Sequence, residues 1–480
     1  MLLLVNNNII KGISMKQAII FAASLLTILP ASMVHADKVI DWAKITTTNV
    51  KEIVAPQNFK EIQDIVKLAA CNKQKLSILG AGYSQGGQTA YIDGIVIDMK
   101  YLNKISHFDP KNKKITVQTG ATWQKIQEYI DPYNLSISVM QSYYNFSVGG
   151  SLSVNVHGRD MSYGQIIETV ESIKIILANG TLVTASRTEN YDIFKAAIGG
   201  YGYIGVIVEA TLLLTDNYKV ARSVQLIPIH EYKKYFDTHV KNNPTIKIYN
   251  GNLYPNDFKK VLNIEWRITD KPLTIKERVR ALNKFYPVEL FALQIMRRVN
   301  VSKKLRAHLE PKLFEKNMVC MRNFVFGENT ATLAPLVTFP TTHILQEYFI
   351  PCDHFERFVD SLRDVTHRYG VNILNCSIRY VPANNESLLS YAPEKDCFAF
   401  VLYINILNTH GGKKATAPWT QKLIDSAISL GGSYYLPYQL SATKDQFLSA
   451  YKNFNEFMCV KNRYDSQCIF DNELFKKYSN

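Results

Sequence analysis

Three glycine-rich stretches constrain this chain more than anything else in it. The first, "ILGAGYSQGGQT", puts four glycines into the ten residues from Gly80 to Thr89, just after the apolar run "KLSIL". The second is "FSVGGSLSVNVHG" (146–158) and the third "AAIGGYGYIGVIVEATL" (196–212). Each removes Cβ atoms from a turn beside a strand-like run, so that backbone N–H groups can approach an anion or a flat ring. A single glycine turn is common. Three in this order, each beside a strand, describe a cradle assembled from separate parts of the chain. "GYGYIG" (200–205) also fits the GxGxxG pattern, but a dinucleotide fingerprint must follow a strand and open a helix. Here helical "NYDIFKAAIG" precedes it and the strand-like "GVIVEATLLL" follows, so a Rossmann site is excluded.

The 480 residues are too many for one compact core, and the pattern divides them. Residues 40–217 read as α+β: "NVKEIVAPQNFKEIQDIVKLAACNKQ" gives a strand-like VKEIV and then a helix, with apolar Ile62, Ile65, Val66 and Ala69 at helical spacing. Short strands "LSIL", "GIVIDM" and "KITVQT" follow, then a hairpin turning at Asn179-Gly180. Residues 218–410 alternate longer strands with the amphipathic helix "HFERFVDSLRDVTHRY", which predicts a mixed sheet carrying helices on one face. Residues 411–480 read as helical.

Residues 1–36 have the pattern of an export signal. Lys16 precedes an apolar run from Ala18 to Leu29, and Val34-His35-Ala36 is a signal-peptidase pattern, with Met15 as an alternative start. The run is too short to span a bilayer comfortably, which points to a periplasmic or secreted protein. The net charge of +14 suggests anionic partners. Basic residues crowd between Lys276 and Lys316, as a solvated surface or as a peripheral contact with anionic lipid. No zinc-finger spacing, arginine-rich arm or RNP-like motif is present, which argues against nucleic acid. Seven cysteines without a CxxC signal neither a disulfide framework nor a metal site, though one disulfide is compatible with an oxidising compartment.

Read together, the three stretches resemble the FAD-binding (PCMH-type) domain of the vanillyl-alcohol oxidase family, and the chain is most similar to its aldonolactone and alditol oxidases and decaprenylphosphoryl-ribose oxidases. That resemblance implies a two-subdomain FAD-binding domain, a substrate domain and a C-terminal segment returning to the flavin. It implies that Gly80, Ala81, Gly82, Tyr83, Ser84, Gln85 and Gly86 hold the FAD pyrophosphate. Ser142, Ser147, Gly149, Gly150, Ser153, Val154, Asn155 and His157 would line pyrophosphate and flavin, and Gly202, Gly205 and Ile207 the adenine end. Many members carry a histidine that bonds the flavin covalently where this chain has Tyr83, and "VMQSYYNFSV" lacks the cysteine some add. The resemblance therefore implies noncovalent FAD, which favours a dehydrogenase over an oxidase; oxygen, a quinone or a redox protein could take the electrons.

Strand parity locates the substrate side. In "VNILNCSIRYV", Asn375, Ser377 and Arg379 share one face, and Arg379 could orient a hydroxyl and stabilise oxyanion charge, or simply pair with a surface acid. Alditol oxidases have EVR there, so Ser377 stands where they have glutamate. By resemblance Tyr438 in "YYLPYQL" falls where decaprenylphosphoryl-ribose oxidases have lysine, and Tyr435 at a flavin-contacting tyrosine. The catalytic base stays open between Tyr438, with a lowered pKa, Glu347 in "LQEYFIP", and Tyr403 or Asn405. His157, in the flavin-binding stretch, reads as a backbone or phosphate contact. The expected reaction is oxidation of a CH–OH group of a sugar, sugar alcohol or aldonolactone. The alternatives are a lipid-linked (polyprenyl-phosphoryl) sugar and a catalytically degenerate flavin-binding protein.

Overall fold

Asn58 accepts the N–H of Glu61 and starts the helix Phe59–Cys71, whose Ile62, Val66 and Ala69 turn inward at helical spacing. The computed structural model describes residues 37–255, 257–280, 300–315, 317–328 and 340–479. The signal-like segment 1–36 and nearly half of the basic stretch 276–316 lie outside the described residues.

Two short antiparallel strands, β1 (Asp37–Ile40) and β2 (Thr47–Val50), lead into a small parallel sheet. It is built from β3 (Glu52–Val54), β4 (Leu76–Leu79) and β5 (Ile95–Asp98), with β5 in the middle and the helix Phe59–Cys71 crossing between β3 and β4. A second sheet comprises β6 (Ile105–Asp109), β7 (Lys114–Gln118), β8 (Leu135–Ile137), β9 (Val170–Ile176), β10 (Leu182–Ser186) and β11 (Val206–Asp216). Its order is β10-β9-β11-β7-β6, with β8 against the end of β11. β9 and β10 form the hairpin expected at Asn179-Gly180, and Gly180 supplies the left-handed turn at φ +77°. The third glycine stretch joins the helix Tyr191–Ala197 to β11, a helix-to-strand turn, as the failed Rossmann reading required.

The third sheet is built from β12 (Lys219–Pro228), β13 (Ile246–Leu253), β14 (Lys260–Ile268), β15 (Val319–Met321), β16 (Thr341–Pro351), β17 (Asn372–Val381), β18 (Cys397–Leu407) and β19 (Ser433–Tyr434). The strand order is β15-β12-β14-β13-β17-β18-β16-β19. Every pairing in it is antiparallel, where the sequence suggested a mixed sheet. The helix Phe355–Tyr369 does carry the chain from β16 to β17, so these two run the same way, but β18 inserts between them. One face of the sheet is covered by that helix: Phe355 stacks on Phe400 and meets Phe398 edge-on, and Phe358 meets Phe400 at a tilt.

Residues 411–480 are not solely helical. They add β19 to the edge of the large sheet, and then Ile469–Asp471 lie alongside β4, where Leu76 donates to Ile469 O and accepts from Asp471 N, each at 2.8 Å. One large apolar cluster runs from Ile115 and Val117 through Phe398 and Phe400 to Phe475, drawing on all three sequence-defined segments, while a smaller one around Ile62, Leu76 and Ile97 fills the space between the small parallel sheet and its helix. All seven cysteines are free, including the buried Cys320, Cys376 and Cys397, so the possible disulfide is not formed. Among the described residues no helix is long and apolar enough to cross a membrane.

Candidate active site

The first two glycine stretches are pinned together by one hydroxyl. Ser147 Oγ accepts the N–H groups of Ala81 (3.1 Å) and Gly150 (3.3 Å). A Cβ on Gly80 would sit 2.4 Å from that oxygen, and one on Gly149 would meet Thr119 Cβ at 2.9 Å, so neither position tolerates a side chain. Gly205 is equally closed, with Ile176 O at 2.5 Å from an added Cβ. The N–H groups of Gly82 and Ser84 donate to nothing among the described residues.

Two connected spaces open beside this cradle. The larger, about 480 Å³, is lined by Gly80–Ser84, by Ser142, Ser147, Gly150, Val154 and His157, and by one face of the large sheet. The smaller, about 60 Å³, is lined by Gly149, Ser153, Gly202, Gly205 and Ile207, and shares Gly80, Ser84, Gly150 and Val154 with the first. An elongated ligand with a phosphate-bearing middle fits that shape: small residues and free N–H groups at the junction, a narrow apolar cleft at one end and a large chamber at the other. FAD has this form.

Three of the cofactor residues expected from the sequence do other work. Gln85 is buried and is a strut: its Oε1 accepts from Leu345 N (2.9 Å) and Gln439 Nε2 (2.8 Å), and its N–H donates to Pro437 O. Gly86 lies against Tyr438 O, 2.3 Å from an added Cβ, so it allows the C-terminal segment to approach. Asn155, at φ +47°, bonds Gln165 and Ile167 N and lines neither space. Tyr83 lines the large chamber, accepts from Asn145 Nδ2 and meets Phe146 edge-on with ring centroids 4.5 Å apart. Tyr435 lines it too and donates to Val154 O at 2.8 Å.

The sheet face above the cradle is set by register. Glu347 pairs with Val401 and Val401 with Ser377, so the three form one row across β16, β18 and β17. Leu345, Tyr403 and Asn375 form the next row, and Arg379 lies two residues beyond Ser377 on the same face. All of these line the large chamber, as the parity of "NCSIR" predicted. Asn405, the remaining option for a base, does not line it.

Glu347 is the centre of this face. It is 4% exposed; its Oε1 lies 2.6 Å from His157 Nε2 and its Oε2 accepts the Tyr438 hydroxyl at 3.1 Å. Burial pushes the Glu347 carboxyl up, but the charge and hydrogen bond of His157, then Arg379 and Tyr438, outweigh it. Its pKa therefore lies below the ordinary carboxylate value, and it is ionised at neutral pH. Tyr438 behaves oppositely: burial, then the neighbouring carboxylate, push its hydroxyl well above the usual phenol range. Tyr438 is thus a donor to Glu347, which corrects the expectation of a base with a lowered pKa. His157 is likewise more than a backbone contact: besides Gly158 O at 3.3 Å, it faces Glu347. Arg379 pairs with no acid among the described residues. Its hydrogen bond goes to Ser142 Oγ at 3.4 Å, and its Nε is buried without a partner.

The sequence reading missed Arg159, Arg280, Arg306 and Glu310 on the chamber wall. Arg159 stands two residues from His157 in "VHGRD", a signal within reach. The other three come from the helix Asn300–Phe314 and the segment before it, which carry no motif.

Residues 50–186 match the family described as FAD binding domain, FAD_binding_4. That stretch of this chain is therefore similar to an FAD-binding domain. Among curated proteins it is similar to mouse L-gulonolactone oxidase, with 26% identity over 212 residues, 44% of this chain and 48% of that protein. It is similar also to D-arabinono-1,4-lactone oxidase of Debaryomyces hansenii (26% identity, 44% and 41% covered). A third relative is the mitochondrial L-galactono-1,4-lactone dehydrogenase of Arabidopsis thaliana (25% identity, 41% and 32% covered). The chain spans about half the length, or less, of these relatives. In fold it matches cholesterol oxidase from Brevibacterium sterolicum, a His121Ala mutant, at a TM-score of 0.69 and 15% identity, over 92% of this chain and 96% of that one. The matched stretch thus lies within a fold shared almost from end to end with that solved structure.

Proposed function

We propose that the protein is an FAD-dependent oxidoreductase that oxidises a CH–OH group of a sugar, sugar alcohol or aldonolactone. The observation that carries this reading is the ionised, buried carboxylate of Glu347 between His157 and Tyr438, on the chamber face that adjoins the glycine cradle. The lactone oxidases and dehydrogenase among the relatives support the substrate class. FAD held in the cradle would supply the hydride-accepting ring.

The chain's own part is positional and electrostatic. Glu347 accepts the hydroxyl proton at Oε2, and His157 at Oε1 keeps the carboxylate oriented. Its depressed pKa makes it a modest base, so the alcohol must be made more acidic. Arg379, facing the same space with an unmet Nε–H, stabilises the developing alkoxide oxygen. Tyr438 holds Oε2 from the other side, and the aromatic wall of Tyr435, Phe349 and Tyr391 beside His157 limits water. Tyr83 has no ring nitrogen to bond a flavin, so FAD is held without a covalent link.

Anaerobic titration of the purified protein with sugars, polyols and aldonolactones tests this. Bleaching of the flavin absorbance by members of the panel is expected, and acid precipitation should release the flavin into the supernatant. A colourless protein that takes up no FAD would sink the reading; flavin left on the precipitate would sink its noncovalent part.

A further inference from the structure

The chamber holds more positive charge than the oxidation of a neutral alcohol needs. Arg159, Arg280 and Arg379 all line it, and Arg280 and Arg379 are each near enough to act electrostatically on Arg159. Glu328 is bonded to Arg159 at 3.2 Å. Among the described residues Arg280 bonds the carbonyl of Phe324 alone and covers that ring at 4.7 Å. The other arginine on the wall with an acidic partner, Arg306, is already satisfied by Glu310, Asn375 and Leu374 O. Even with Glu347 counted against Arg379, one guanidinium among the three has no carboxylate among the described residues. The donors are also unfinished: Nε of Arg159 and Nε of Arg379 are both buried without a hydrogen-bond partner.

Clustered like charges with unmet N–H groups in a half-desolvated space are unfavourable, and burial together with its two arginine neighbours lowers the Arg159 pKa, against the pull of Glu328. Such an arrangement is relieved by an anion whose oxygens take the guanidinium forks. The three arginines line only the large chamber and not the narrow cleft under Gly202 and Gly205, which places this anion site away from the adenine end. Arg379 shares its strand face with Ser377, roughly 7 Å further along, and Ser377 shares a row with Glu347. The anion therefore lies within a few bonds of the carbon that loses its hydrogen.

We infer that the substrate is a hydroxy compound carrying its own anionic group, a carboxylate or a phosphate, seated between Arg159, Arg280 and Arg379. This rests on the oxidation proposed above and narrows it to sugar acids or phosphorylated sugars over neutral polyols and lactones.

The test uses the FAD-loaded protein and four probes: gluconate, glucose 6-phosphate, glucono-1,5-lactone and sorbitol. Binding is read from the perturbation of the flavin spectrum, with inorganic phosphate as competitor. One of the two anions should bind at least tenfold more tightly than the lactone and sorbitol, and phosphate should displace it. Whether gluconate or glucose 6-phosphate wins decides between carboxylate and phosphate. Arg159→Gln and, separately, Arg280→Gln should weaken the anion at least tenfold, with FAD content unchanged. If lactone and sorbitol bind as well as the anions and phosphate does not compete, the inference is overturned while the oxidation stands. Loss of FAD from Arg159→Gln, with the anion still bound by calorimetry as in wild type, would assign the cluster to the cofactor and also overturn it. If no FAD is taken up, the oxidation fails. Calorimetric phosphate binding to wild type against Arg280→Gln then decides the anion site by itself, and equal binding overturns it.

Discussion

The glycine cradle and the sheet face opposite it meet in one chamber but are made in different ways. The cradle works through the absence of side chains: Gly80, Gly149 and Gly205 each sit where an added Cβ would be 2.9 Å or less from a neighbouring atom. The sheet face works through side chains that face one way because strand register leaves them no choice, as with Glu347, Ser377 and Arg379. The first holds a ligand by shape; the second acts on one by charge. The difference predicts that the two can be damaged separately.

Damage to the cradle should have the largest effect. Gly149→Val drives a branched side chain into Thr119, 2.9 Å from the first added atom, at a cost of about 1–3 kcal/mol in strain alone. Bound flavin should fall below about a tenth of the wild-type ratio, a loss worth more than ~1.4 kcal/mol of binding. Circular dichroism should still report a folded chain. Full flavin occupancy in that variant would mean that close backbone approach is not what holds the cofactor.

Damage to the sheet face should leave flavin in place. Glu347→Gln keeps the shape and removes the proposed proton acceptor, so kcat should drop by about 10²–10⁴ with FAD content unchanged. An equal loss of flavin would merge the two regions and undo the comparison.

A smaller effect separates Glu347 from its orienting partner. The folded-state pKa of Glu347 is depressed, so its ionised form, and the stability it contributes, are fully present above the unfolded carboxylate value of about 4.3. Both are lost only as the pH falls through the lower folded value. The acid limb of kcat/KM should therefore lie below about pH 4.3, and in His157→Gln it should move upward, because His157 supplies the largest favourable influence on that carboxylate. An unmoved limb in that variant would detach His157 from the proton-accepting group.

The same contrast explains what could be read in the sequence. Glycine spacing is local, so the three stretches, the hairpin at Gly180 and the inward face of "NCSIR" were visible without a structure. Glu347 was one option among several because its role comes from His157, 190 positions earlier, and Tyr438, 91 later. Tyr438 stood among the candidate bases because sequence does not report burial, and burial is the largest influence raising its hydroxyl. Gln85 and Gly86 belong to the glycine motif by position, yet both serve the C-terminal segment that packs on it. Arg280 and Arg306 belong to the basic stretch 276–316, whose charge is legible but read as a surface, and they gain their place on the chamber wall only from what the sheet sets across from them.

The C-terminal segment's grip on the first loop has a consequence for the order in which this protein becomes whole. Gln85 N donates to Pro437 O, Gln88 Nε2 reaches Leu436 O and Tyr438 O, and Glu473 N closes on Ala90 O. The pocket written near the beginning of the chain is thus finished by residues made last. A nascent or truncated molecule ending before Leu436 would possess every glycine of the motif and still lack the wall that keeps them in place. Flavin uptake, as proposed, would then report more than binding: a chain that turns yellow would be one already synthesised past Tyr438 and folded back upon its first loop.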